Sequence, residues 1–441
     1  MHFVLWFFVL LVLALIALAI YYRTQRKNVV TFFHPNCLDC GGGEKVLWVA
    51  ADALKEHLPE MHLFAQDATN DSAQEKVNKV FKINIPSNIK FVNVGSADFI
   101  KPGYYKHFTL IFQAIGSLVY AFKCLNKEVP AVVIDTTGAP FASIVWKLFG
   151  GCKVILYIHY PFISTDMLKT VTSGSDQYNN NQRIAKSKFL TSIKVIYYRI
   201  IAFIYSLCGY FADVITVNST WTGNHIREIF RRDPIILFPP CDTTDLSKLP
   251  IENRIPEQII SVQQFRPEKN LPLQLEIIRR LKDTHPNMKL FIIGGCRNEA
   301  DRKLLDGLQE EIDRDKLPVT LVPNCDFDIL RNEYFARSSV GLHTMYNEHF
   351  GICAVEYLAA GLIPLCNKSA GPLYDIVKDE NYLALTADEY AAKLEVAFKC
   401  DDSARLQFRN SCSRFSYEEF SKQFIAAIAP LIKSQVTNYK E

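Results

Sequence analysis

Residues 1–22 contain no Asp, Glu, Lys or Arg, and every position from 3 to 22 is apolar or aromatic. A backbone placed in hydrocarbon must satisfy its own N–H and C=O groups, so such a run has to be helical. At about 1.5 Å per residue it reaches ~30 Å, the thickness of a bilayer's hydrocarbon layer. Ala17-Leu18-Ala19 has the small-residue character of a signal-peptide cleavage site. The flanks favour retention. The run is longer than a usual signal core, no basic stretch precedes it, and positive charge follows at Arg23, Arg26 and Lys27. Residues 1–22 are therefore expected to be a transmembrane anchor, with the remainder of the chain on the cytosolic side by the positive-inside rule.

The other residues have the composition of a globular protein. Across 441 residues, 49 Lys+Arg stand against 46 Asp+Glu, a formal charge of +3 that gives no electrostatic case for nucleic-acid binding. Twelve cysteines are scattered from Cys37 to Cys412, and cytosolic placement favours free thiols. The pair Cys37-Leu-Asp-Cys40 has no second pair at zinc spacing.

Short β-branched runs alternate with helical stretches from residue 29 onward. The expected strands cover 29–33, 90–94, 131–135, 153–159, 213–217 and 235–238, then 258–263, 289–293, 319–322, 339–342 and 363–365. Helical patterns such as 44–57 and 272–282 lie between them. This alternation predicts an α/β protein with two doubly wound parallel sheets. Pro239-Pro240, Pro250 and Pro256 mark a polar breakpoint, giving domains at 28–240 and 258–441 with a linker at 241–257. In such folds ligands bind at the carboxyl ends of the strands, here expected to be a cleft between two sheets. Residues 108–122 carry no charge and 193–217 carry few, so both read mainly as buried core helices, with contact to the bilayer as the competing reading.

Four places carry candidate chemistry. In Asn347-Glu348-His349-Phe350-Gly351-Ile352-Cys353-Ala354-Val355-Glu356, two glutamates eight apart bracket an expected helix start. The unpaired N–H groups of such a start suit a phosphate, and Gly351 allows close approach. Gln264-Phe265-Arg266-Pro267-Glu268-Lys269-Asn270 offers the Arg266 fork and the Lys269 charge to a diphosphate. Gly41, Gly42 and Gly43 lie in the first strand-to-helix turn, where they would admit a sugar or phosphate. His159 ends an expected strand, at the edge where a site would form. Asp326-Phe-Asp328 matches a metal-binding D-x-D pattern, but so does Asp313-Arg-Asp315 inside an expected surface helix. Asp326 is read as a helix N-cap, and no metal is predicted.

Together these residues resemble the retaining glycosyltransferases of the two-domain GT-B type, in the family 4 group with its E-x7-E motif. Further blocks look like the asparagine-linked glycosylation protein 11 family: His34-Pro35-Asn36-Cys37, Tyr157-Ile158-His159-Tyr160-Pro161, Ser164-Thr165-Asp166-Met167-Leu168, Phe238-Pro239-Pro240-Cys241-Asp242, Ile293-Gly294-Gly295-Cys296-Arg297-Asn298 and Gly341-Leu342-His343-Thr344-Met345. The resemblance implies an α-1,2-mannosyltransferase that adds the fourth and fifth mannoses from GDP-mannose to Man3GlcNAc2-diphosphate-dolichol. It implies the cytosolic face of the endoplasmic reticulum membrane, no cofactor, and other mannosyltransferases of the pathway as candidate partners. It also implies an acceptor-side first domain and a nucleotide-sugar-binding second domain. Arg266 and Lys269 would hold the diphosphate, assisted by backbone N–H groups of Phe350, Gly351 and Ile352. Glu348 would hold mannose hydroxyls and Glu356 the ribose. His159 would line the catalytic centre, and Gly41 to Gly43 would shape the acceptor and phosphate side.

The sequence departs from the family at three glycines: Cys40 takes the first of the glycine loop, Gln263 stands before Gln264-Phe265-Arg266-Pro267, and Ala370 lies in the 367–372 segment. Each adds a side chain where the family's backbone is bare. Two other readings are a lipid-linked or phosphatidylinositol glycosyltransferase that uses another nucleotide, and an inactive membrane scaffold of the glycosylation machinery.

Overall fold

A computed structural model describes residues 2–66, 68–138, 140–163 and 188–440. The block Ser164 to Leu168 lies outside the described residues. The chain divides into two compact units, Met1–Asn218 with Thr222–Leu237 and Ser421–Glu441, and Ser219–Trp221 with Phe238–Phe420.

The first unit is built on a seven-stranded parallel sheet. Its strands are β1 (Arg26–Phe33), β2 (Met61–Ala65), β3 (Ile89–Asn93), β4 (Val129–Asp135), β5 (Lys153–Ile158), β6 (Val214–Val217) and β7 (Ile235–Ile236). They lie in the order β3-β2-β1-β4-β5-β6-β7, with Val30 opposite both Met61 and Val132. The last five residues of β1 and all of β2 and β4 are buried, as a parallel sheet covered on both faces requires. Trp146 fills one side of the core, stacked on Phe64 and edge-on to Phe33, each at 5.6 Å.

The second unit repeats the plan with six strands, β8 (Gln258–Val262), β9 (Lys289–Gly294), β10 (Val319–Pro323), β11 (Val340–His343), β12 (Ile363–Asn367) and β13 (Leu383–Ala384). Their order is β10-β9-β8-β11-β12-β13, and all pairs are parallel. Strand order reverses between β1 and β4 in one sheet and between β8 and β11 in the other, so each unit has one switch point at its carboxyl edge.

Several expectations are corrected. Strands β2 and β13 were not among those expected. Residues 241–257 are no free linker. Cys241, Leu246 and Leu249 are buried in the second unit's core, and the buried Arg254 guanidinium donates to the carbonyls of Phe335, Ser338 and Ala360. The segment Ser421–Glu441, expected in the second domain, belongs to the first unit. Arg26 donates to Gln435 Oε1 at 2.6 Å, Asn28 donates to Thr437 Oγ1 at 2.7 Å, and the Lys440 N–H donates to the His57 carbonyl at 2.7 Å.

The N-terminal helix, His2–Thr24, has the length and apolarity of a membrane span, and its side chains from 3 to 17 are exposed. It joins the first unit at its carboxyl end, where the Tyr22 hydroxyl donates to Asn126 Oδ1 at 2.6 Å. The apolar segment 108–122 falls mainly in helix Thr109–Lys127, whereas 193–217 begins in helix Lys188–Cys208 and runs on through the Gly209–Phe211 turn into strand β6; each helix leaves large apolar side chains exposed on one face. All twelve cysteines are free, and burial pushes the Cys37 thiol up to about 12, which makes it a poor nucleophile or metal ligand.

Candidate functional site

At the first unit's switch point, β1 runs into His34 and then into the glycine turn. Gly41 is the N-cap of helix Gly42–Leu54, and Gly42 and Gly43 form its first turn. Glu44 folds back over that start: the Gly41 N–H donates to Oε2 at 2.6 Å, and His34 Nε2 donates to Oε1 at 3.0 Å. Burial would raise the Glu44 carboxyl, but the hydrogen bond from His34, the charge of that imidazole and the Gly41 N–H together hold it below its usual value. The other His34 nitrogen lies 2.8 Å from the Thr136 hydroxyl, just past β4.

His159 follows β5 and donates from Nε2 to the Thr136 carbonyl at 2.8 Å. Thr136 thus ties both histidines together, and the proton of His159 sits on Nε2. A side chain at Gly43 would press on this imidazole, since its Cβ would lie 3.3 Å from Nε2. Asp135 is fully buried beneath them, and its Oδ1 accepts from the Thr137 N–H, the Thr137 hydroxyl and the Gly138 N–H. Burial nevertheless pushes its carboxyl up to about 6.

The second unit brings a cation and a carboxylate together at its switch point. Lys269 Nζ, from the turn after β8, donates to Glu348 Oε2 at 2.5 Å and reaches Met345 Sδ at 3.2 Å. His343, the last residue of β11, donates from Nε2 to the same Glu348 oxygen at 3.3 Å. Burial opposes every charge in this cluster, yet mutual attraction wins: Glu348 is held well below the carboxylate range, and Lys269 is raised. The turn carrying Lys269 is fixed by Thr344, whose hydroxyl donates to the Lys269 carbonyl at 3.1 Å and accepts from Gln274 at 2.9 Å.

Beyond Glu348, helix Ile352–Ala360 begins at Gly351, which has φ +109° and no side-chain cap. Phe350 is buried against Phe238 and Phe415, so its backbone and not its ring is available to a ligand. Glu356 lies half-buried in the second turn of that helix. Arg266 precedes the Pro267–Lys269 turn, and its guanidinium approaches Glu268 at 3.4 Å. The Gln263 amide is buried and donates to Ser261 Oγ at 2.9 Å. Cys40 and Ala370 both adopt left-handed backbone, at φ +56° and +44°, the conformation that favours glycine. Asp326 is a helix N-cap that accepts from the Asp328 N–H at 2.9 Å, whereas Asp315 pairs with Arg279 at 2.5 Å.

Sequence reasoning missed His34, Glu44, Thr136 and His343 as parts of these clusters. Three of the four are polar residues at or just past the carboxyl end of a parallel strand, the same signal that singled out His159.

A family model described as the ALG11 mannosyltransferase N-terminus matches residues 27–230, and one described as glycosyl transferases group 1 matches residues 245–418. The chain is 38% identical over 437 residues to the GDP-Man:Man(3)GlcNAc(2)-PP-Dol alpha-1,2-mannosyltransferase of Dictyostelium discoideum, covering 93% of this chain and 86% of that one. It is 37% identical to the human protein of the same name, covering 93% and 88%, and 37% identical to that of Caenorhabditis elegans, covering 93% of both. The chain belongs to the ALG11 mannosyltransferase family. Solved structures agree with the family on fold. Anabaena HepE, in complex with UDP and glucose, superposes with a TM-score of 0.61 at 14% identity, covering 92% of this chain and 100% of that one. A trehalose-6-phosphate protein from E. coli bound with UDP-2-fluoro glucose gives 0.64 at 14% identity, covering 91% and 98%. The fold is GT-B, with two doubly wound Rossmann-like domains, as the ALG11 resemblance implies.

Proposed function

We propose that this protein is a retaining α-1,2-mannosyltransferase. It moves mannose from GDP-mannose to Man3GlcNAc2-diphosphate-dolichol on the cytosolic face of the endoplasmic reticulum membrane, adding the fourth mannose and then the fifth. The observation that carries this reading is identity of more than one third, over 93% of the chain, to proteins named for that activity. The chemistry of the second unit supports it.

A diphosphate brings two or more negative charges, and the second unit's edge offers Lys269, Arg266 and an uncapped helix start at Phe350, Gly351 and Ile352. On binding, Lys269 exchanges its Glu348 partner for a phosphate oxygen, and the freed carboxylate accepts from mannose hydroxyls. Glu356, one turn deeper in the helix, takes the ribose. In the first unit Gly41 to Gly43 admit the acceptor, while His159, its ring fixed by Thr136, lines the reacting centre. The bond from mannose C1 to the phosphate oxygen breaks, and the acceptor hydroxyl oxygen bonds to C1 on the same face. The hydroxyl proton passes to the departing phosphate oxygen, and the cations stabilise the charge that develops there. With those cations in place the reaction requires no metal.

The test is to incubate the purified full chain with a synthetic Man3GlcNAc2-diphosphate-lipid and GDP-mannose, with and without EDTA, and in parallel with UDP-sugars. The expected products are Man4 and then Man5, sensitive to an α-1,2-mannosidase, formed from GDP-mannose alone and unaffected by EDTA. An acceptor that is not lengthened contradicts the proposal and supports the scaffold reading.

A further inference from the structure

When a diphosphate takes Lys269, the Glu348 carboxylate loses its nearest cation. Water is a poor substitute, because the Glu348 side chain is only 14% exposed, and a buried carboxylate without a partner takes up a proton. The ionised form offers two acceptor oxygens to mannose hydroxyls, whereas the protonated form gives up part of that capacity to its own O–H. A second cation has to hold the charge of Glu348 while the donor is bound.

His343 stands where that cation is needed. Its side chain is fully buried, and its Nε2 reaches the same Glu348 oxygen as Lys269, at 3.3 Å against 2.5 Å. A charge-assisted hydrogen bond is usually about 2.7–2.9 Å long. The longer contact here is to an oxygen that Lys269 already occupies, so it is free to shorten when Lys269 leaves. The ring does not depend on a ligand for its place: β11 lies between β8 and β12, and the Tyr390 hydroxyl donates to the His343 carbonyl at 2.9 Å.

The surroundings of the imidazole favour its charged form. Glu348 faces it from the following loop, Lys269 stands behind that carboxylate on the turn after β8, and Cys353 faces it from helix Ile352–Ala360. Cys366 lies opposite it in register on β12, with its thiol kept neutral by burial. Burial works against a charged ring, yet the Cys353 sulfur and the Glu348 carboxylate raise His343 to about 9. Nδ1 makes no hydrogen bond of ordinary geometry among the described residues, and the Cys353 sulfur at the ring is a weak acceptor. Glu348 is thus the one strong partner of this imidazole.

We propose that His343 is a positioning residue for mannose transfer: it stays paired with Glu348 after Lys269 has moved to the diphosphate, keeping that carboxylate ionised and aimed at the mannose hydroxyls. Lys269 and His343 then divide two tasks that the structure without donor shows on one oxygen. This rests on the mannosyltransferase reading of the same site.

The experiment compares the full chain with its His343→Gln variant, which keeps a neutral N–H donor and loses the charge. Both are assayed with GDP-mannose and a synthetic Man3GlcNAc2-diphosphate-lipid between about pH 5.5 and 9, and GDP binding is measured by calorimetry, since the pH profile of kcat reports groups in the bound complex. The variant is expected to bind GDP within about twofold of the wild type, to lose at least about tenfold in kcat near pH 6.5, and to show the acid limb of its kcat profile moved up by at least about one pH unit. An acid limb left in place overturns the proposal, and so do equal losses in GDP affinity and kcat, which would make His343 a purely structural residue. Wild type that does not lengthen the acceptor overturns the mannosyltransferase reading itself, and this proposal with it. If His343→Gln shows no cooperative unfolding, infrared difference spectra of the wild type with and without GDP-mannose decide, with Glu348→Gln identifying the band. Glu348 should remain a carboxylate in the complex near pH 6.5; a protonated carbonyl band appearing on donor binding overturns the proposal.

Discussion

Both units place a helix start at the carboxyl edge of a parallel sheet, yet the two starts are finished in opposite ways. At Gly41 the helix is closed by its own chain, because the Glu44 carboxylate accepts from the Gly41 N–H and is held in place by His34. At Gly351 there is no side-chain cap, and the nearby carboxylate, Glu348, is already matched by Lys269 and His343. A helix start that holds an internal anion has little left to offer a phosphate, whereas an uncapped one next to a buried cation attracts it. The proposed function uses this difference: it assigns the anionic donor to the second unit and the sugar hydroxyls of the acceptor to the first.

The largest expected effect breaks the second unit's half of the contrast. Lys269→Ala should lower kcat/KM for GDP-mannose by roughly 10²–10³-fold, the usual loss when a preorganised charge on the leaving group is removed. A steady-state assay at fixed acceptor checks this, and a loss below about fivefold would mean that the diphosphate is held elsewhere. Next in size is Asp135→Asn. A carboxyl raised to about 6 in the fold stabilises it while protonated, and this contribution is lost as pH rises from the unfolded value of ~3.9 through 6. The variant should therefore gain on the wild type by roughly 2 kcal/mol between pH 4.5 and 7.5 in chemical denaturation. A constant difference across that range would show that Asp135 is already ionised at little cost.

Glu44→Ala sharpens the first unit's half. Uncapping the helix should cost about 1 kcal/mol of stability and raise the KM for the lipid acceptor severalfold, with the KM for GDP-mannose unchanged. A rise in the donor KM alone would reverse the assignment of ligands to units. The smallest effects come from the two family glycines that are replaced at left-handed positions. Cys40→Gly and Ala370→Gly should each stabilise the protein by roughly 0.5–1 kcal/mol, one in each unit, measured as a rise in Tm.

Much of the fold was legible because buried parallel strands read as short apolar runs, and the prolines at 239–256 mark where one sheet ends and the next begins. Strand β2 was hidden by its composition, Met61-His62-Leu63-Phe64-Ala65, which has no β-branched residue. Those prolines show irregular backbone and not detachment, so the packing of Leu246, Leu249 and Arg254 had no local signal. Nor did the return of residues 421–441 to the first unit, since contacts such as Asn28 with Thr437 span more than 400 positions. Lys269 was readable with Arg266 as a diphosphate ligand, and Glu348 with Glu356 as one of two glutamates eight apart. Sequence does not show that they bind each other at 2.5 Å, because that depends on β8 lying beside β11. The internal apolar helices were read mainly as core, with contact to the bilayer as the competing reading; burial on one face of each fits the first, and composition does not show which residues the other face exposes.

The central claim is that the diphosphate belongs to the second unit's open helix start and Lys269. Calorimetric titration of GDP into the full chain, its Lys269→Ala variant and its Glu44→Ala variant tests it most directly. The prediction is a loss of roughly 100-fold in GDP affinity for Lys269→Ala, about 2.7 kcal/mol, and no change for Glu44→Ala. GDP affinity retained by Lys269→Ala, or lost in Glu44→Ala, would contradict it.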